Sequence, residues 1–349
     1  MNSLTLAGLT LTLGLFSSAY ANENFEEYKV FDLTKTETFS VKFKHADIEF
    51  KRTDTGKSSV FMSQVLQDGS SESCLHKITI EQDDKHLYLS TESNDSSWFW
   101  QSCNVKRKIV ISIDNNTIRQ AEIELGHASV NADAFDFATQ AWAISHAKVN
   151  INQIIAQKYQ LDLSHSQLDI EQVQSLDNEL AGSHSSMRVR SYTGTDLINE
   201  WQHGLFTIKQ GKFDAITLQS AHAQIEYNQT SLKNLLADGA HSLFTINLTK
   251  ANRVKVENKH GIIKLGGDIR DLKTDSQHTY TEINQLSKAV FKVESRSTHG
   301  DIKVYVPAGS FYSYQLNDQK MRLQNTETVK ELSEITVNTV HGQASVSDI

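Results

Sequence analysis

Three stretches of the chain, at residues 144–151, 163–170 and 182–189, read ISHAKVNI, LSHSQLDI and GSHSSMRV. In each one a histidine is followed by a small residue, and apolar residues stand three and five positions after the histidine. Apolar side chains at every second position are typical of a β-strand with one buried face, because successive side chains point to opposite sides of a strand. The three stretches therefore predict equivalent strands that recur every 19 residues.

The same spacing extends over much of the chain. The series continues at His278 and His299, with intervals of 18 and 21, and we interpret the 42 residues between His299 and His341 as two intervals of 21. A fixed period near 20 residues is the signature of a solenoid protein. Eight histidines precede these at constant intervals of 19: His127, His146, His165, His184, His203, His222, His241 and His260.

Coils of this length cannot bury an apolar face alone, but they can when they stack. Several of them carry a second apolar pair thirteen and fifteen residues after the histidine, as at Tyr159 and Leu161. The single proline, Pro307, agrees with internal strands, which need their N–H groups. We therefore predict an all-β fold: a parallel β-helix or β-roll solenoid with coils of about 19 residues at 126–349. A strand-rich N-terminal segment at 22–125 precedes the solenoid and is continuous with it.

Composition excludes some functions. The 349 residues contain 34 Lys+Arg and 42 Asp+Glu, a net charge of −8, whereas a nucleic-acid-binding surface is normally basic. No G-x-S-x-G motif is present, and acidic residues do not cluster with Lys or Arg as they do in polysaccharide lyases built on β-helices. We predict no catalytic residue and no cofactor, and keep a carbohydrate-active enzyme as the weakest alternative.

The first 21 residues predict a secretory signal peptide. The apolar run Leu4–Phe16 is too short for a comfortable transmembrane helix, and Ala19-Tyr20-Ala21 is an A-x-A cleavage pattern before Asn22. The alternative is a retained membrane anchor. We expect an exported protein whose mature chain has no transmembrane segment, with the periplasm as the simplest location and the cell surface or secretion as alternatives.

Export gives meaning to the two cysteines, Cys74 and Cys103. The alternating runs at 75–81, 87–91 and 105–113 predict an up-down-up meander, in which both cysteines lie at the same end. We therefore predict a structural disulfide, which an oxidising compartment would preserve. A redox or metal-binding pair is the alternative, but the separation of 29 residues is not a CxxC spacing.

One repeat resembles a known family. Residues 298–304 read THGDIKV and are followed by Tyr305-Val306-Pro307, which is similar to the "S-G-D-I-x-V" and "V-x-V-P" signature of bacterial DUF4097-type adhesin domains. The opening at 39–50 is similar too, and the resemblance covers roughly residues 28–349. It implies an exported or envelope β-strand-repeat protein with an adhesin role, and it supplies no catalytic residues.

Strand alternation predicts that the residues one, three and five positions after each histidine point inward and that the histidine points outward or lies at a corner. A straight stack would then form a column of imidazoles. The column has three interpretations: a structural ladder, a metal-binding array formed by the eight evenly spaced histidines, or a pH-responsive surface.

A cluster of bulky aromatic residues, Trp98-Phe99-Trp100, stands just before Cys103. It either packs against the adjoining sheet and caps the solenoid, which we favour, or forms an adhesive or sugar-stacking tip.

Together these features predict a non-catalytic exported β-solenoid that acts as an envelope interaction protein or adhesin. Its partner is an unidentified protein or polysaccharide. The alternative is a periplasmic metal-binding or pH-responsive protein that uses the histidines.

Overall fold

The computed structural model describes residues 24–55, 57–67, 70–83, 85–92, 103–114, 118–317, 319–322 and 332–349. The predicted signal peptide and the aromatic cluster at 98–100 lie outside these residues. Apart from one short 3-10 helix at Glu72–Cys74, the regular structure described is β. The strands are β1 (Asn24–Phe31), β2 (Thr38–Lys44), β3 (Asp47–Arg52), β4 (Ser58–Leu66), β5 (Lys77–Gln82), β6 (His86–Glu92), β7 (Val105–Ile113), β8 (Gln120–Gly126), β9 (Ser129–Asp136), β10 (Thr139–Ser145), β11 (Lys148–Ser164), β12 (Gln167–Ser183), β13 (Ser186–Thr193), β14 (Asp196–Lys212), β15 (Ala215–Gln285), β16 (Lys292–His299), β17 (Ile302–Val306), β18 (Tyr312–Leu316), β19 (Gln319–Arg322), β20 (Ser333–His341) and β21 (Ala344–Asp348).

The predicted solenoid is confirmed: parallel coils stack about 19 residues apart in about 11 turns. In β11 and β12, Val149 pairs with Leu168 and Tyr159 with Asn178, so each residue faces its counterpart one repeat later. The apolar positions that define the repeat are buried, and Val149 and Tyr159 are both 0% exposed. Stacking thus buries a face that a single coil would leave in water.

The first coil precedes a long insertion. Strands β2 and β3 pair in parallel with β8 and β9, so residues 38–52 form a coil that stacks directly on residues 120–136. The residues between these two coils contribute β4 to β7, which pair with the outer edges of β2 and β3 or with each other. The insertion therefore covers a sheet edge that would otherwise expose unpaired backbone groups.

The disulfide prediction is confirmed, but the meander used to reach it was wrong. Cys74 and Cys103 are bonded, with their Cα atoms 5.5 Å apart. Strands β5 and β6 form an antiparallel pair, but the other edge of β6 pairs with β2, whereas β7 pairs with β3 and β4. The outer edges of β2 and β3 each need a partner strand. Strand β6 pairs with β2 and β7 pairs with β3, so β5, β6 and β7 do not form one meander.

The C-terminal end holds a second insertion. Strands β20 and β21 pair in parallel with β16 and β17, and His341 pairs directly with His299. The 42-residue interval therefore spans one step of the stack, and reading it as two intervals of 21 was wrong. Part of the extra length forms an antiparallel pair, β18 and β19, of which β18 joins the outer edge of β20.

Candidate functional site

The histidines stand at the corner where one strand of a coil ends and the next begins. His146, for example, lies between the end of β10 at Ser145 and the start of β11 at Lys148. Ten of the histidines have φ between +48° and +74°, the left-handed region. Side chains with a Cβ adopt this conformation at a cost of roughly 1–2 kcal/mol, whereas glycine does so freely. The ten are His45, His127, His146, His165, His184, His203, His222, His241, His260 and His278.

The residue after each histidine is small because the backbone of the neighbouring coil lies close to it, most closely where that residue is glycine. A Cβ placed on Gly204 would lie 2.0 Å from the backbone oxygen of Ser185. Where a serine occupies the position, its hydroxyl satisfies buried backbone groups: Ser185 Oγ donates to the carbonyl oxygen of Ser183 at 2.8 Å and accepts from the N–H of Ser166 at 3.1 Å. This position is therefore set by packing.

The histidine side chains form one continuous column along the solenoid. All twelve are exposed, and the centroids of neighbouring rings lie between 4.5 and 5.0 Å apart. The ring planes are within 16° of parallel except at the last pair, which is tilted by 31°. At one step of about 4.8 Å per coil, the histidine column extends for about 50 Å. It contains the ten left-handed histidines together with His299 and His341.

The structure brings all eight candidate metal ligands into this column, but their rings are parallel. Zinc is held by imidazole nitrogens at about 2.0–2.1 Å, so the lone pairs of two ligating rings must converge on one point. Rings stacked face to face 4.7 to 5.0 Å apart direct their nitrogens alongside one another. Among the described residues, no group of three or more His, Cys, Asp or Glu has an arrangement that could hold a metal ion. Metal binding at the column stays a prediction, and it would require the rings to rotate.

Three histidines of the column have a pKa below the ordinary value. Desolvation is the largest cause for each of them, followed by the charge on the neighbouring histidines. For His45 the neighbours that lower the pKa are His127, Arg107 and Lys44. For His260 and His299 they are the histidines directly above and below in the column. Each of these groups therefore resists protonation in the folded protein.

An open groove of about 1290 Å³ follows the first six histidines of the column, from His45 to His203. Its charged lining, besides the histidines, is mainly basic. Lys106 and Lys148 are exposed, and neither has a carboxylate within ion-pair distance among the described residues. The remaining charged residues of the lining are Arg107, Arg188 and Asp47.

Arg107 lies at the end of the groove and is only 5% exposed. Its Nε donates to Gln64 Oε1 at 3.0 Å, and Nη1 donates to the carbonyl oxygen of His45 at 3.1 Å. Burial lowers its pKa to about 10. Sequence reasoning missed this residue, although a signal was present: it begins the inward-facing series that continues with Ile109 and Ile111, where an apolar residue is expected.

A second groove, of about 500 Å³, crosses strands β2, β8, β10, β11 and β12 and has the opposite character. Glu122, Glu124, Asp162 and Glu179 line it, and Lys42 pairs with Glu124 at 2.7 Å. The basic character is therefore a property of the histidine groove and is not shared by this other concave surface.

No helix among the described residues has the length and apolar character needed to cross a membrane.

Comparison with known proteins adds little beyond the fold. No family model matches the chain, and no curated protein matches it. Similar solved structures include a "putative adhesin" from Parabacteroides merdae (8% identity, 93% of this chain and 96% of that chain covered, TM-score 0.37). Two others come from Parabacteroides distasonis: a "putative adhesin" (12%, 91% and 98%, TM-score 0.35) and a "putative lipid binding protein" (10%, 93% and 96%, TM-score 0.34). Structural similarity with identities and TM-scores this low supports no conclusion about function.

Proposed function

We propose that the protein is an exported, non-catalytic interaction protein of the cell envelope that uses the histidine column and its groove to bind an extended partner. The observation that carries this proposal is that the histidines are exposed and also adopt a backbone conformation that costs free energy. Ten exposed histidines occupy left-handed positions that glycine would fill without strain. Packing accounts for the small residue that follows each one, but it does not require an imidazole on the solvent side.

The shape of the surface supports an extended partner. Stacked rings repeat the same chemical group at steps of 4.5 to 5.0 Å, and the groove beside them is open and spans several coils. A partner that runs along the solenoid would meet the same contacts on each coil. Multiple weak contacts of one kind add up to useful affinity when a single partner engages them together.

One serine–histidine contact outside the column has the residue types of a catalytic site. Ser40 Oγ lies 2.7 Å from His86 Nε2 and 3.0 Å from Glu122 Oε2. Glu122 is hydrogen-bonded to the serine, whereas in a catalytic triad the acid is hydrogen-bonded to the histidine and orients it. This arrangement supports the non-catalytic assignment.

The second candidate is a pH-responsive version of the same surface. It is favoured by the lowered pKa of His45, His260 and His299, which the neighbouring histidines help to cause. The chain carries −8 with neutral histidines, and protonation of the twelve in the column would change this to +4. Acidification would thus reverse the sign of the net charge and concentrate the added charge on one face.

The test is a binding screen of the purified protein against immobilised bacterial polysaccharides and extracellular matrix proteins. The variant carries asparagine in place of His146, His165, His184 and His203, because asparagine tolerates the left-handed backbone. We expect at least a tenfold loss of binding with an unchanged circular dichroism spectrum. The matched control replaces the exposed ladder residues Asn131 and Asn150 with serine and should bind normally. Equal binding by the histidine variant and the wild type would refute the proposal.

Calorimetric titration with Zn²⁺ and Cu²⁺ tests the metal alternative on the same samples. A dissociation constant below about 100 μM that disappears in the four-histidine variant would support a metal-binding column over an interaction surface.

A further inference from the structure

We propose that the groove along the histidine column binds the acidic groups of a linear polysaccharide, and that Arg107 at the end of the groove anchors one of these groups. The proposal rests on the interaction function proposed above and names the chemical class of the partner. The anchored group is a carboxylate, sulfate or phosphate, because these have the planar or tetrahedral oxygens that a guanidinium fork recognises.

Arg107 provides the strongest evidence for an anion-binding site. A guanidinium has five N–H donors, and within the part of the chain that the structure describes two of them have an acceptor, the side-chain oxygen of Gln64 and the carbonyl oxygen of His45. Both acceptors are neutral, and within the described residues no carboxylate pairs with this side chain. A buried charge without a counter-charge is costly, and an anion bound at the groove end would offset that cost.

The residues around Arg107 extend the basic character along the groove. Lys106 precedes it on β7, and Lys148 stands two residues after His146 at the start of β11. Arg188 lines the groove further along and is 3.7 Å from Asp169, so part of its charge is already compensated. Asp47 is the one carboxylate of the lining among the described residues. A ligand with acidic groups spaced along its length would therefore meet cations on several coils.

The geometry favours a polysaccharide over other polyanions. The basic residues lie on several coils along one groove, which suits a chain that crosses the coils and gives a flat bilayer little contact. The chain as a whole has a net charge of −8, and its second groove is lined by glutamates and aspartate. Acidic polysaccharides also present several neutral hydroxyl groups per sugar to the exposed rings.

Proton uptake by the column should strengthen the interaction. The charged groups that face His45 are Lys44, Arg107 and His127, and Asp47 is the acid nearest to it along the chain. Since the surrounding cations disfavour a further positive charge, a bound carboxylate would make protonation of His45 easier. Ligand binding and proton binding would thus assist each other.

The experiment measures binding of fluorescent polygalacturonate oligomers to the full mature chain at pH 7.5 and 5.5. The methyl-esterified oligomer serves as the neutral analogue. We expect the acidic oligomer to bind at least tenfold more tightly than its ester, and more tightly at pH 5.5 than at pH 7.5. Equal binding of acid and ester would overturn the proposal, as would equal binding of a single-stranded oligonucleotide of matched charge.

Three variants locate the site. Lys148→Gln should weaken binding about threefold or more, and Lys158→Gln should not, because Lys158 is equally exposed on β11 but lies outside the groove. Arg107→Lys keeps the charge but removes the fork, and a loss of affinity there identifies bidentate recognition. If Lys148→Gln and Arg107→Lys bind like the wild type, the acidic-ligand proposal fails. The broader interaction function fails only if the four-histidine variant also retains all partners of the polysaccharide and protein screen.

Discussion

Two neighbouring columns run along the same corner of the solenoid, and both are visible as repeats in the sequence. One is the exposed histidine column, and the other is the column of small residues that follows it, with the buried Ser185 and the partly exposed Gly204 as consecutive members. The small residues repeat because the backbone of the next coil lies against them. The histidines repeat at positions where the backbone favours glycine. A regular repeat can therefore have a packing cause or a surface cause.

The first test of this comparison is Gly204→Val, for which we expect the largest effect. A Cβ at this position would lie 2.0 Å from the carbonyl oxygen of Ser185, and backbone atoms of a stacked coil cannot move aside as a side chain can. We expect a loss of about 3 kcal/mol or more in the free energy of unfolding, measured by urea denaturation. Lys209→Val, an exposed position on the same strand, is the control and should change stability little. A fully stable Gly204→Val protein would show that packing does not determine the small column.

How much of the fold the sequence predicts depends on whether a contact is repeated from coil to coil. The period of 19, the buried strand face and the outward histidines were predictable because each coil contacts a copy of itself, so one residue pattern describes many contacts. The ends were not predictable in this way. At each end a strand edge lacks an identical neighbour, and the partner comes from an insertion with its own sequence.

The 42-residue interval and Arg107 illustrate this limit. The interval from His299 to His341 has twice the expected length, and its midpoint, Lys320 followed by Met321, lacks the histidine and the small residue that mark a coil. Arg107 was missed for a similar reason. Its burial depends on β7 pairing with β3, a contact between segments 62 residues apart that follows no repeat.

A change in pH should affect the histidine column and leave the column of small residues unchanged, because only the histidine column has titratable side chains. His45, His260 and His299 have a lowered pKa in the folded chain, so the unfolded chain binds more protons than the folded one as the pH falls. Their contribution to stability is complete above the ordinary histidine pKa near 6.5 and decreases as the pH falls through 6.5 towards the lower folded value. We expect the urea midpoint to be lower at pH 5 than at pH 7.5.

The matched variant replaces these three histidines with asparagine. Because asparagine does not titrate, the difference in midpoint between pH 7.5 and pH 5 should become smaller. This range lies above the pH at which Asp32, Asp83, Glu49 and Glu294, whose pKa is lowered by hydrogen bonds, become protonated. An unchanged pH dependence in the variant would mean that the column is not linked to stability.

The smallest expected effect is that of His203→Gly, and it is the most informative about the column. Glycine removes the cost of φ at +50°, but it increases the freedom of the unfolded chain and removes ring contacts with His184 and His222 at 4.7 and 4.9 Å. These changes oppose one another, and we expect the free energy of unfolding to stay within about 1 kcal/mol of the wild type. Urea denaturation of His203→Gly and of His203→Asn, each compared with the wild type, would measure the two changes in the free energy of unfolding. A loss of more than about 2 kcal/mol in both variants would mean that stacked rings hold the coils together. The histidines would then repeat for the same reason as the small residues, and the argument that they are kept for a partner would lose its basis.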